Sequence, residues 1–357
     1  MKKHLFHALM AFAAAYIMSC NSQKETTASV YPETKKVDTV DTYHGVEVSD
    51  PYRWLEDDRS DETAEWVKSQ NEVTFGYLNQ IQYRDKLKKR LEELWNYPKY
   101  SAPFKTEGRY FFYKNSGLQN QFVLYAQRTL NDEPEVILDP NLWSKDGTMA
   151  LSGLSVSSDG KYLAYTTSIS GSDWNKIKVL DLQTKQLLND SIEWVKFSGI
   201  SWKGNGFYYS RYDEPNGSDL SAKNEFHKLF FHKVGDDQSK DQLVYEDKSA
   251  PQRNFYAGTT EDERFLIING SEGTSGNMLV VKDLSNPGSP FVTLVDDFKN
   301  DHSVIENEGD ELYILTNLNS PNKRIVKTTL DKAKPEQWVD VVAETGSRIE
   351  NASVIGG

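Results

Sequence analysis

The chain is 357 residues long, 38% hydrophobic and 12% aromatic, with a formal net charge of -12. Its length and apolar content allow two domains or one large β unit, and 19 Tyr with 16 Phe favour strands. So acidic a surface repels phosphate backbones and anionic lipid, which excludes nucleic-acid binding and adhesion to membranes through a basic patch.

Residues 1–19 read as a leader, outside the fold. Lys2 and Lys3 make a basic start, and Leu5 to Met18 form an apolar run too short to span a bilayer comfortably. The stretch Ile17-Met18-Ser19-Cys20 resembles a bacterial lipoprotein signal, in which a small residue before Cys admits the signal peptidase and the thiol carries a diacylglyceryl group. Cys20 is the single cysteine, so no internal disulfide can form and packing alone must hold the fold. The expectation is an exported lipoprotein of the periplasm or cell envelope, attached to a membrane only through the lipid on Cys20. Residues 20–30, polar and small, then serve as a tether.

A helical segment is expected over residues 31–97. Asp61 and Glu62 suit a first helical turn, and Ala64, Val67, Phe75 and Leu78 fall near one face. After a break at 80–83, Leu87, Leu91, Leu94 and Trp95 recur at helical spacing, and Pro98 ends that helix. Trp54, Leu55 and Trp66 add apolar surface that so short a segment cannot cover by itself.

From residue 98 the period changes to that of strands. A turn followed by an aromatic or apolar strand start recurs at Tyr110, Tyr162, Phe207, Phe265 and Leu312, 45 to 58 residues apart. Each is followed by another strand: 122–128, 176–182, 228–234, 278–284 and 324–330. That spacing is one blade of a β-propeller, with four antiparallel strands per repeat; a β-sandwich with similar turns is the alternative from periodicity alone. Five repeats are visible, the fifth barely finished at Gly357.

Hydrolytic chemistry is expected to be missing. A nucleophile elbow needs G-x-S-x-G, and the nearest approach, Gly273-Thr274-Ser275-Gly276-Asn277, ends in Asn and falls between two strands. Beyond the leader the histidines are His44, His227, His232 and His302. His44 reads as a turn residue, and His302 as a surface residue of an acidic loop beside Asp301. His227 and His232, five apart, point to opposite faces of one strand and cannot share a metal. Asp57-Asp58 and Asp236-Asp237 lack calcium-loop spacing and read as solvated turns. No metal, cofactor or phosphate loop is expected.

Several runs resemble the prolyl oligopeptidase family of serine peptidases. They include YHGVEVSDPYRWLEDD (43–58), LWNYPKYSAPF (94–104), GLQNQFVLYAQ (117–127), ILDPN (137–141) and SSDGKYLAYTTSISGSDWNKIKV (157–179). WVKFSGISW (194–202), 227–247 and LTNLNSPNKRIV (315–326) continue the match in order to the end of the chain.

The resemblance implies a mainly β fold: an incomplete propeller, about five of seven blades over residues 98–357, preceded by helices that pack on an α/β-hydrolase domain. It implies a parent endopeptidase that cuts short peptides on the carboxyl side of proline, with a Ser, an Asp and a His in a C-terminal domain. None of that triad is expected in this chain, which is then the catalytically inactive front part, truncated, of such an enzyme. By the same resemblance Phe197 lines the substrate pocket on the propeller side, and Asp173 faces an arginine of the hydrolase domain. The competing expectation is a lone propeller that binds peptides or a protein partner without cutting them.

Overall fold

In the computed structural model residues 31–355 are described; the leader 1–19, Cys20 and the tether 20–30 lie outside them. The chain divides into two compact units after Leu91.

The first unit opens with a hairpin, β1 (Val40–Tyr43) and β2 (Val46–Ser49), paired antiparallel. His44 and Gly45 turn it, with φ of 51° and 82°, the positive values that a two-residue hairpin loop demands. Arg53 ties the hairpin to the next turn through ion pairs with Asp41 and with Asp50, the latter at 2.7 Å. Helix α1 (Asp61–Leu78) begins where Ser60 Oγ accepts the Thr63 N–H at 3.1 Å. That bond satisfies one of the four orphan donors of the first turn, and Asp61 and Glu62 complement its dipole. Helix α2 (Arg84–Trp95) follows, crossing the unit boundary. The apolar faces expected from the sequence are exposed, at Val67 and Phe75 on α1 and Leu87, Leu91, Leu94 and Trp95 on α2.

The second unit is an open propeller of five blades. Blade 1 contains β3 (Lys99–Tyr100), β4 (Phe104–Thr106), β5 (Arg109–Asn115), β6 (Val123–Gln127) and β7 (Glu135–Leu138). β3 and β4 both pair with β5, so they are one inner strand interrupted near Pro103, which has no N–H to give a ladder. Blade 2 is β8 (Met149–Val156), β9 (Tyr162–Ile169), β10 (Asn175–Asp181) and β11 (Leu187–Val195). Blade 3 is β12 (Ser201–Lys203), β13 (Gly206–Arg211), β14 (Lys228–Lys233) and β15 (Gln242–Tyr245). Blades 4 and 5 are β16 (Asn254–Thr259), β17 (Phe265–Ser271), β18 (Met278–Asp283), β19 (Val292–Val295), and β20 (His302–Glu308), β21 (Glu311–Thr316), β22 (Arg324–Thr328), β23 (Val339–Val342). The fifth repeat is therefore a full blade. Blades 2 and 3 fuse into one eight-stranded sheet, because Val195 at the end of β11 pairs with Arg211 of β13.

Strand alternation explains why the central strands read as unbroken apolar runs. In β17, Phe265 and Ile267 pack toward Leu312, Ile314 and Val326 of blade 5. Leu266 and Ile268 pack the opposite way, with Tyr208 and Leu229 of blade 3. Each inner blade thus buries both faces. Each such side chain contributes roughly 1.5–3 kcal/mol relative to exposure. The anchors Tyr110, Tyr162, Phe207, Phe265 and Leu312 all lie at the start of a blade's second strand.

One expectation is corrected here. His302 is not a surface loop residue: it opens β20 and is 4% exposed, with Nδ1 2.9 Å from Thr316 Oγ1 and Trp338 edge-on to its ring. The acidic neighbours misled because they occupy the loop just before the strand begins.

Candidate functional site

The two residues singled out from the sequence, Asp173 and Phe197, come together at one end of the blade 2–3 sheet. Asp173 lies in the β9–β10 turn, where Ser170 and Gly171 take φ of 53° and 76°. Ser172 Oγ accepts the Trp174 N–H at 3.2 Å, and Asn175 Nδ2 donates to the Asp173 carbonyl at 2.8 Å. With its backbone so held, the carboxylate points outward, and its side chain is 71% exposed.

Phe197 lies on the connection between β11 and β12. Trp194 and Phe197 have φ of 61° and 51°, an uncommon conformation for large side chains, so surrounding contacts must enforce it. Tyr212 N–H donates to the Trp194 carbonyl at 3.2 Å, and Ser198 Oγ accepts the Ser210 N–H at 2.7 Å. The His227 ring donates from Nε2 to the Lys196 carbonyl at 2.9 Å, while its Nδ1 accepts the Phe255 N–H at 3.0 Å. These two bonds fix the neutral tautomer, and burial pushes the ring's pKa down to about 4. The phenyl group of Phe197 is left 43% exposed. It is a presented aromatic rather than blade core.

Lys196 joins the two residues. Its side chain is 12% exposed, and its ammonium lies 3.7 Å from Asp173 Oδ2, 5.0 Å from the Trp174 ring centre and 5.4 Å from that of Phe197. A cation against ring faces gains from their quadrupole, more so as water is excluded. Trp174 meets Trp194 edge-on at 5.6 Å and donates Nε1–H to the Asp219 carbonyl at 2.7 Å. Beside these rings is a cavity of about 540 Å³ whose walls include Ile169, Trp174, Trp194 and Leu220. Tyr212 donates its hydroxyl to Asn254 Oδ1, and burial raises the phenol to about 12, so it stays protonated.

The arrangement offers an exposed aromatic face, an exposed carboxylate and a sheltered cation. It can recognise a ligand or a facing domain, but it contains no nucleophile–base pair. His227 and His232 are both buried and point to opposite faces of blade 3, toward blades 4 and 2 respectively. His302 pairs with a fully buried Thr316. Among the described residues no cluster suits a metal ion. Gly273–Asn277 is the loop between β17 and β18, as expected. Lys196 and Trp174 were not singled out from the sequence, and His227 was weighed there only as a metal ligand. A Lys beside the singled-out Phe was the available signal for the first; nothing in the sequence marks the contact between His227 and Lys196, 31 residues apart.

Residues 32–357 match the family described as prolyl oligopeptidase, N-terminal beta-propeller domain. The chain is 46% identical to a prolyl endopeptidase of Elizabethkingia meningoseptica over 97% of its own length and 49% of that protein's. To the prolyl endopeptidase of Elizabethkingia miricola it is 47% identical, over 95% of the chain and 47% of the relative. Among solved structures, prolyl oligopeptidase B of Galerina marginata, bound to a 25mer macrocyclization substrate, superposes with a TM-score of 0.77 at 32% identity. That match covers 89% of this chain and 48% of the other. The chain spans about half the length of the curated relatives it matches.

Proposed function

Because the chain belongs to the prolyl oligopeptidase family, as its N-terminal β-propeller portion, we propose that it is the gating part of a serine endopeptidase that cuts short peptides on the carboxyl side of proline. The observation that carries this reading is the 46% identity to a prolyl endopeptidase along 97% of the chain. In the whole enzyme so proposed, a Ser, an Asp and a His in a C-terminal α/β-hydrolase domain perform acyl transfer, and the propeller limits access to them. Phe197 supplies an apolar wall to the bound peptide. Asp173 faces an arginine of the hydrolase domain. The exposure of both groups, and the hydrogen bonds that fix both turns, support these roles.

The test is complementation. The chain alone should leave a Gly-Pro chromogenic amide intact. Mixed with the separately expressed hydrolase portion of the Elizabethkingia meningoseptica relative, it should restrict cleavage of long peptides more than of short ones. Turnover by the chain itself, or a hydrolase portion indifferent to it, would sink the proposal.

We further propose that the protein is an exported lipoprotein acylated on Cys20, on the strength of Lys2, Lys3, the apolar run and Ser19-Cys20. Radiolabelled palmitate should enter the protein in cells and fail to do so after Cys20→Ser.

A further inference from the structure

A second set of titratable side chains is buried between blades 2 and 3. His232 on β14 is fully buried, yet each of its ring nitrogens meets a carboxylate. Nε2 lies 2.9 Å from Asp190 Oδ1, and Nδ1 lies 2.6 Å from Asp241 Oδ1. Asp190 belongs to β11, the outer strand of blade 2, whereas Asp241 precedes β15 in blade 3. A carboxylate oxygen only accepts, and a neutral imidazole has one N–H; only the doubly protonated ring satisfies both neighbours. Two further donors help the anions: Gly235 N–H gives to Asp190 Oδ1 at 2.7 Å, and the Tyr209 hydroxyl gives to Asp241 Oδ2 at 2.6 Å. Asp190 Oδ2 has no hydrogen-bond partner, so that carboxylate relies on the ring's charge. The remaining groups near the cluster are Asp237, whose carboxyl is held below its ordinary value mainly by hydrogen bonds from Ser239 and least by the ring's charge, Arg211 beside Tyr209, and the Phe207 ring at 5.2 Å.

We infer that Asp190, His232 and Asp241 form a latch, fastened by a buried imidazolium and released by alkali, that clamps blade 2 to blade 3. The strand it grips, β11, leads directly into the Phe197 turn, so the latch also anchors the base of the candidate site. Burial favours loss of the ring proton, but hydrogen bonds and charge from the two aspartates outweigh it and hold the pKa up at about 9. The folded value exceeds the unfolded one of about 6.5. Stabilisation is therefore complete below about pH 6.5 and is lost as pH rises through about 9.

Two measurements on the chain test this. In a side-chain nitrogen-15 spectrum at pH 7.5, His232 should show both ring nitrogens protonated, with His227 showing one as an internal standard. The unfolding equilibrium constant should rise about 40-fold between pH 7 and pH 9 through this group, and His232→Gln should remove that rise. A neutral His232 ring at pH 7.5, or an undiminished rise in His232→Gln, would overturn the latch. If His232→Gln does not fold, the titration of the native ring decides alone.

Discussion

His227 offers the sharpest check on how the Phe197 turn is held. The ring is 1% exposed and makes two bonds, giving to the Lys196 carbonyl and taking from the Phe255 N–H. His227→Asn is shorter and loses the donor that reaches the Lys196 carbonyl, so that acceptor gives up its 2.9 Å bond. The expected cost is about 1–3 kcal/mol at pH 7.5. Acid adds a second signature. The folded ring titrates at about 4 and the unfolded one near 6.5, so the neutral form's stabilisation is whole above about 6.5 and is lost as pH falls. From pH 7.5 to pH 5 that loss amounts to about 2 kcal/mol. His232, whose folded ring keeps its proton up to about 9, contributes equally to wild type and variant over this range, so the difference between them isolates His227. Urea unfolding followed by tryptophan fluorescence between pH 5 and 7.5 reads both effects. The variant should start less stable and lose about 2 kcal/mol less than wild type on acidification. An acid slope of equal size in both proteins would refute the neutral, doubly bonded ring.

Three other perturbations separate local geometry from surface chemistry. Gly276 has φ of 72°, and a Cβ there would collide with the Phe298 carbonyl, so Gly276→Ala should destabilise by about 2–4 kcal/mol in thermal or urea melts. Ser60→Ala removes the bond to the Thr63 N–H and should cost about 1 kcal/mol, seen as earlier fraying of α1 by amide exchange. Phe197→Ala removes a half-exposed ring and should shift stability by less than about 1 kcal/mol. In the complementation assay the same substitution should weaken capture of proline peptides, seen as a higher KM.

Most of the propeller was legible because each blade's middle strands are buried on both sides. FLII at 265–268 and MLVV at 278–281 are apolar without a gap, and the positive-φ residues Glu263 and Gly276 lie just before them. The helices were equally readable, since Asp61 and Glu62 announce α1 and the 87–95 spacing defines α2, whereas the Ser60 cap emerges only from the structure. What stayed hidden depends on pairs distant in sequence. Asp190 and His232 are 42 residues apart, and His227 and Phe255 are 28 apart, so neither partner predicts the other's protonation. His302 was misplaced for a related reason: an acidic flank says what precedes a strand, not whether its first side chain turns inward. Within the candidate site, Asp173 and Phe197 could be named from similarity, whereas the sheltered Lys196 between them emerges only when the two turns are brought side by side.

The hydrogen-bonded link at Val195 and Arg211 makes two leaves of the stack into a single plate. Other leaves meet through oily side chains and scattered polar links, such as Ser201 Oγ to the Ala257 carbonyl and His302 N–H to Asn277 Oδ1, whereas this pair shares one ladder, and the imidazolium rivets it again lower down. Slippage within the stack is then expected at the unstitched seams first. Whatever ligand or facing domain rests against Phe197 meets a ledge carried by this one continuous sheet.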